Sequence, residues 1–594
     1  MKRVSISELP ARIALPGGTA ELVRHDGALR AELRYGAAFG MGEKYDSLNQ
    51  KGRRAVCRVE EKFCFQGEKT YCPAPFFWTD SGFGLYADTA RTVTFDFRDE
   101  YIDVLLPEKA DVVIFTGTPA EIIGEYMSLQ GGAALPPRWA FGPWVSANRW
   151  SSRADVENAL ERLERHGFPA SVMVLEAWSD EATFYLWNGV RYAPVPDGGA
   201  VRYEDMDFSG SPWPDPKGMI DKIHAAGLRL LLWQVPVYKK QGARELPCRQ
   251  LELDRADAAR RGLCVKNGDG SPYTIPEGRW FGGSMVPDFT NPEAAESWFD
   301  KRRYLLDMGV DGFKTDGGEF ICGDDARFAD GSTGAEGVNR YAADYARAYA
   351  DFIGPDRTLF SRAGFAGQQR TPILWAGDQQ SQNSELRSAL TAGLSAALTG
   401  IPFWGFDIAG FAGPLPTLDL YRRATQLACF CGVMQWHSEP DGGQFRSLMP
   451  GAEGNNERSP WNMAEAYGAP EFIGEMRFWH ELRMALLPYI WQEAQKCADM
   501  NRPLMRPLIY DWPGDPRAAA CGDEFMFGDA LLIAPLLEEN AADRVVYLPE
   551  GEWTGFFDGE PYEGGREIAA GGGGRPPVFV RRGFESVRDA LKNI

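Results

Sequence analysis

The stretch Gly309–Phe320, GVDGFKTDGGEF, carries the residues best suited to chemistry. It opens as an apolar, β-leaning run and ends in Asp, Gly, Gly and Glu. That is the pattern of a buried parallel strand surfacing into a loop at its carboxyl end. Lys314 and Asp316 are two apart, so on a strand they share a face, and a cation beside a carboxylate keeps it ionised. Gly317 and Gly318 permit a sharp turn and leave room for a ligand. A second carboxylate, Asp378, follows Trp375 in a run poor in cations, where desolvation would raise its pKa. One ionised and one protonated carboxylate are what cleavage of a glycosidic bond needs, with oxygens roughly 5 Å apart if the anomeric configuration is retained. These residues predict Asp316 as the ionised partner and Asp378 as the acid.

The elements that must position them alternate between strand and helix from Leu135 onward. AFGPWVSANRW, ASVMVLEAW, LRLLLWQVPVY, GVDGFKTDGGE, RTLFSRAG, PILWAGD, IPFWGFDIAGF and CGVMQWHS read as eight apolar strands. Amphipathic runs such as SRADVENALERLERHG lie between them. This predicts an α/β chain built on a (β/α)8 barrel over 135–499. An N-terminal β-sandwich over 1–134 and a small C-terminal antiparallel β domain over 500–594 are expected to flank it. Insertions are expected near 239–292, a stretch without helical period, and near 441–462. Active sites of such barrels lie at the carboxyl ends of the strands. The residues expected there are Glu176, Trp178, Trp233, Lys314, Asp316, Glu319, Arg362, Trp375, Asp378, Trp404, Phe406, Asp407 and His437. Indole faces stack on a pyranose while charged groups hydrogen-bond its hydroxyls. An N-terminal EEKF loop could bring Glu60 or Glu61 to the same place, with a solvated charge pair as the plainer reading.

The 594 residues carry a net charge of −20. Such a field disfavours nucleic acid and anionic membranes and leaves a neutral small molecule as the easier partner. No apolar run is long enough for a secretory core or a bilayer span, which points to a cytoplasmic protein. Ten cysteines without a CxxC pair read as reduced thiols. Of five histidines, only His437 falls at a strand end, so no metal and no cofactor are expected. Homo-oligomerisation is left open.

The motifs resemble glycoside hydrolase family 31, the family of α-glucosidases and α-xylosidases. KTDGGE (Lys314–Glu319) is similar to its nucleophile segment. FSRAGFAGQQRTPILWAGD (Phe360–Asp378) is similar to the run from a sugar-binding Arg to the acid/base Asp, and FWGFDIAGF (Phe403–Phe411) to its WGxDIGGF stretch. MGEKYDSLNQKG and YLPEGEWTGFFDG resemble segments of the flanking domains. The resemblance implies a metal-free retaining α-glycosidase with Asp316 as nucleophile and Asp378 as general acid/base. Arg362 and His437 would grip hydroxyls, Trp233 would line the −1 subsite, Lys314 would lie beneath the nucleophile, and Asp407 would support the site. The chain departs from the family pattern at the second strand, where Glu176 stands in place of the usual Asp. One extra methylene there is enough to change which epimer fits.

The expected function is therefore an exo-acting retaining α-glycosidase, an α-glucosidase first. α-Galactosidase, α-xylosidase, α-N-acetylgalactosaminidase or a non-catalytic sugar-binding protein on the same scaffold are the alternatives.

Overall fold

The computed structural model describes residues 1–4, 9–107, 110–243, 245–439 and 455–594. Eight parallel strands form its centre: β1 (Pro143–Ser146), β2 (Val172–Leu175), β3 (Arg229–Gln234), β4 (Gly312–Thr315), β5 (Thr358–Ser361), β6 (Leu374–Trp375), β7 (Trp404–Gly405) and β8 (Met434–Trp436). They pair in chain order, and β1 also pairs with β8. The ring closes between β7 and β8, where Ile408 N donates to Gln435 O (2.9 Å) and Val433 N to Trp404 O (3.1 Å). Every strand residue except Arg229 is buried. That double-sided burial is why these runs are apolar throughout instead of alternating.

Helices cover the ring. The first, Arg153–His166, starts at Ser152, whose side chain accepts from Asp155 N, and stops at Gly167 in the left-handed region (φ 68°). Those are the start and stop signals its sequence carries. The insertion after β3 differs from expectation, because Arg249–Arg261 is a helix. Its buried face is polar: Asp254 receives Lys301 Nζ (2.9 Å) and the Tyr185 hydroxyl (2.7 Å). With Gln250, Asp254 and Asp257 buried beside Leu251 and Ala258, the helix shows little apolar period. In the second insertion, residues 440–454 lie outside the described residues, and Pro460–Tyr467 is a helix.

Ahead of the barrel, a five-stranded and a six-stranded antiparallel sheet face each other. The strand Pro73–Thr79, PAPFFWT, is buried along its whole length. Its period of two explains this. Phe77 points into the sandwich against Phe95 and Phe97 (5.1 and 5.3 Å between centroids). Phe76 and Trp78 point the other way, Phe76 stacked on Tyr126 of the helix Pro119–Leu129 (3.9 Å between centroids) and Trp78 Nε1 donating to Leu398 O (3.0 Å).

Beyond the barrel, the helix Glu471–Met500 leads to a six-stranded antiparallel sheet with a separate two-stranded pair. Arg483 on that helix is fully buried, and the hydrogen bonds it makes go to backbone carbonyls. It donates to Phe141 O (2.7 Å), Cys429 O (2.8 Å), Cys431 O (2.6 Å) and Gly432 O (2.8 Å). It thereby ties the entry to β1 to the approach to β8, the two ends of the barrel. Among the described residues no cysteine is in a disulfide, and no helix is long and apolar enough to cross a membrane.

Candidate active site

The strands deliver their polar residues to one cavity of about 760 Å³ at their carboxyl ends. Glu176 (after β2), Trp233 (β3), Lys314 (β4), Asp316 (after β4), Arg362 (after β5) and Asp378 (after β6) all line it.

Asp316 follows β4 directly. Gly317 (φ +74°) turns the chain there, and a Cβ on it would meet the Phe320 ring at 2.7 Å. Three donors converge on the Asp316 carboxylate. Gly317 N reaches Oδ1 at 2.7 Å, Trp233 Nε1 reaches Oδ2 at 2.9 Å, and Arg362 Nη1 lies 3.1 Å from Oδ1. The cation beside Asp316 is thus Arg362. Lys314, expected to fill that place, instead donates to Glu176 Oε1 at 2.6 Å. Sharing a face on a strand brings two side chains near, but Lys314 is long enough to reach across to β2, where a buried carboxylate requires a partner.

Arg362 organises the rest. Glu319 clamps it through two parallel contacts of 3.1 Å. The same Nη1 that faces Asp316 lies 3.6 Å from Asp378 Oδ2. The Tyr71 ring of the N-terminal domain covers its other face, 4.8 Å from the guanidinium carbon. Tyr71 also packs on Gly377, where an added Cβ would meet the ring at 2.4 Å. Tyr45 O–H donates to Ala376 O (2.8 Å). The segment carrying Asp378 is therefore seated on two tyrosines from the sandwich.

Burial pushes the Asp378 carboxyl up to about 8; Arg362 opposes that shift and the Asp316 charge reinforces it. At Glu176 burial also opposes the charge, but His437 and Lys314 outweigh it and bring the carboxyl down to about 2. His437 Nε2 lies 2.8 Å from Glu176 Oε1. The two carboxyls thus differ in protonation at neutral pH.

Seven of the expected residues sit behind the cavity wall: Glu319, which clamps Arg362, Trp404, whose indole N–H donates to Glu43 Oε1 (2.7 Å), the buried Phe406, and four more. Trp178 is buried, with its indole N–H on Trp233 O (3.0 Å), so it braces β3. Trp375 is buried beneath Lys314, whose Nζ lies 4.6 Å from its ring centre. Asp407 accepts from Gln435 Nε2 (2.6 Å) at the barrel's closing seam. His437 is fully buried between Glu176 and the Phe411 ring (5.0 Å).

The cavity also has walls from outside the barrel strands, and of the two glutamates the EEKF loop offered it is Glu61 that lines it. The N-terminal loop supplies Glu61 and Phe63, whereas Glu60 pairs with Lys69 (2.6 Å). The insertion after β3 supplies Trp280 and Phe281, with Trp280 5.0 Å from the Arg362 guanidinium. The signal was there in GRWFGG, two aromatics between glycines in a loop after a barrel strand. Glu181 and Phe411 also line the cavity, as do Asn148, Arg149 and Ser151 after β1 and Arg279 beside Trp280. Glu181 is solvent-exposed, with Lys239 and further carboxylates near it. Among the described residues the cluster best arranged as metal ligands is Cys521, Asp523 and Glu524 in the C-terminal domain. Arg544 engages both of its carboxylates.

Comparison with known proteins places this geometry in a family. The profile of the "Glycosyl hydrolases family 31 TIM-barrel domain" matches residues 133–493. The chain belongs to glycoside hydrolase family 31. The family's C-terminal domain matches residues 501–584, and its N-terminal galactose mutarotase-like domain matches 23–96. This family 31 chain is 37% identical to an isomaltosyltransferase of Sporosarcina globispora, over 92% of its own length and 50% of that protein's. It thus spans half of that relative. It is 38% identical to a 1,3-alpha-isomaltosidase of Kribbella flavida, over 90% of its own length and 75% of that protein's. Among solved structures it is similar to a cycloalternan-degrading enzyme from Trueperella pyogenes in complex with a covalent intermediate. The TM-score is 0.88 at 35% identity, covering 96% of this chain and 78% of that one.

Proposed function

We propose that this chain is a retaining α-glycosidase of α-linked glucosyl oligosaccharides, working through a covalent glycosyl–Asp316 intermediate. The observation that carries the reading is Arg362 Nη1, which faces both carboxylates at 3.1 and 3.6 Å. Those two contacts cap the separation of the facing oxygens at about 7 Å, which leaves the retaining spacing of roughly 5 Å open and excludes most of the inverting range. Asp316 would attack the anomeric carbon while Asp378, protonated at neutral pH, gives its proton to the leaving oxygen. Asp378 is then the base that activates the incoming water or sugar hydroxyl. Arg362 would ease its ionisation and hold Asp316 in line, with Trp233 fixing the other carboxylate oxygen. Glu176, charged and anchored by Lys314 and His437, would accept hydroxyls at the far end of the sugar. Two relatives named for isomaltosyl chemistry favour glucosyl units over galactosyl or xylosyl ones.

The test is release of nitrophenol from α-linked glucoside, galactoside, xyloside and N-acetylgalactosaminide, with Asp316→Asn beside the wild type. Turnover of the glucoside, lower by roughly 10³ or more in the variant, is expected. Equal turnover by the two proteins would sink the nucleophile assignment. Sugar binding by calorimetry with no hydrolysis would point to a binding protein on the same scaffold.

A further inference from the structure

A residue that gives a proton in one step and takes one in the next must stand in the same place for both. The Asp378 side chain does little of that holding itself. Among the described residues its carboxylate meets only Arg362 Nη1, at 3.6 Å, which is beyond hydrogen-bond range. Its position is therefore set by the backbone on either side. That backbone is fastened at both ends of a short turn. On one side, Ala376 N donates to Gly405 O (3.0 Å), which ties it to β7. The Ala376 carbonyl then receives two side-chain donors, Tyr45 O–H from the sandwich at 2.8 Å and Gln379 Nε2 at 2.6 Å. On the other side, the Gln379 carbonyl receives Phe411 N (2.9 Å) and Ala412 N (3.0 Å) from the loop after β7.

The Gln379 side chain thus reaches back across Asp378 and Gly377 (φ +70°) and closes the turn on itself. The direction of its amide follows from that contact, because the reversed amide would set two oxygens 2.6 Å apart. Gln379 and Tyr45 are both buried, and neither lines the catalytic cavity. Gln379 gains the fold little stability by this bond. Its Oε1 is buried and has no donor among the described residues. The desolvation cost of such an orphaned acceptor is comparable to the worth of the one bond the amide makes. A buried polar atom left without a partner calls for an explanation, and a role in catalysis is one.

We propose that Gln379 and Tyr45 are positioning residues for the acid/base, two donors that share the Ala376 carbonyl and hold the Asp378 turn at its working distance from the leaving oxygen. This rests on the retaining-glycosidase reading above. Neither residue touches the reacting atoms. Both act through the backbone that carries Asp378, and Tyr45 makes proton transfer in the barrel depend on the seating of the sandwich.

The experiment compares nitrophenyl α-glucoside with methyl α-glucoside, for wild type, Gln379→Met and Tyr45→Phe. The substrates share a glycon and differ in how much proton donation the leaving group needs. Each variant removes one donor, keeps the bulk, and is expected to unfold at a denaturant midpoint close to that of the wild type. On methyl glucoside kcat/KM should fall about 10- to 100-fold, the effect of a misplaced catalytic group. On nitrophenyl glucoside it should fall less than about threefold. There kcat should drop instead, because release of glucose from Asp316 needs Asp378 as base. Azide attacks the anomeric carbon with no proton to remove, breaks the ester bond to Asp316 and leaves as glucosyl azide, so it should restore that kcat. Losses in equal proportion on both substrates, or no loss on either, overturn the proposal. So does a crystal structure of Gln379→Met with the Asp378 carboxyl in its present place. Asp316→Asn as active as wild type, with the leaving-group-selective loss at Gln379 intact, would refute the retaining mechanism and uphold the positioning.

Discussion

Asp378→Asn tests the acid directly. The Asp378 carboxyl is pushed up to about 8 by burial, and its side chain is only 15% exposed. With the acid form required, wild-type kcat/KM on an alkyl or oligosaccharide leaving group should hold steady from about pH 6 to 7. It should then fall about tenfold per pH unit above 8. A nitrophenyl leaving group needs little protonation, so its limb should be shallower. Asp378→Asn should lose the limb and most of the activity on poor leaving groups. The same shift has a stability counterpart whose sign is fixed. An unfolded Asp releases its proton near pH 3.9, whereas the folded carboxyl keeps it to about 8. Between those values the folded state binds more protons, so the wild type loses stability as pH rises. The loss approaches on the order of 5 kcal/mol by pH 8. Asp378→Asn cannot titrate, so its stability relative to wild type should grow across that window. Paired pH–rate profiles and denaturant midpoints at pH 5 and pH 8.5 measure both effects. A limb centred below about pH 5, or a midpoint difference that does not change with pH, would refute the reasoning.

Two further substitutions probe other parts of the frame. Glu176→Asp withdraws the carboxylate from Lys314 and His437, now at 2.6 and 2.8 Å. It should lower kcat/KM on the best substrate by about 10- to 100-fold and reorder the glucoside, galactoside and xyloside panel. An unchanged order would show that Glu176 does not select the sugar. Arg483→Met removes the donor to four buried carbonyls and should cost about 3–5 kcal/mol in denaturant unfolding, with KM of the surviving folded enzyme unaltered. Wild-type stability in that variant would mean the carbonyls find other donors.

The barrel was legible because its strands are buried on both faces and end in polar residues, as at GFKTDGGE. The two central carboxylates were legible for the same reason. Their partners were not. Lys314 lies next to Asp316 in register yet bonds Glu176, and the cation that serves Asp316 comes from another strand. Pairing of that kind depends on side-chain reach across the barrel, which spacing along one strand does not encode. Trp178 and Trp375 show the complementary limit. An indole at a strand end can face the cavity or brace a neighbour, and only packing decides. Trp280 and Phe281 reach the cavity from a long insertion without periodicity, so composition hinted at them but could not place them. The helix Arg249–Arg261 escaped notice because its buried face is ionic.

The seating of Arg362 and Gly377 on Tyr71 bears on how the protein comes into being during synthesis. Trp78 and Leu398 meet across 320 positions of chain, and Gly42 and Thr399 across 357. The sandwich strands leave the ribosome long before β5, β6 or β7 exists, and contacts of such long range are slow to form. Until the helix that ends at Leu398 is made, Phe76 rests on Tyr126 of the helix Pro119–Leu129, but Trp78 and Tyr71 still lack their barrel partners. Nascent chains should therefore carry an adhesive apolar face, and catalytic competence should arrive late and abruptly, when that face docks. Enzyme activity would then serve as a clock for the docking of the two bodies.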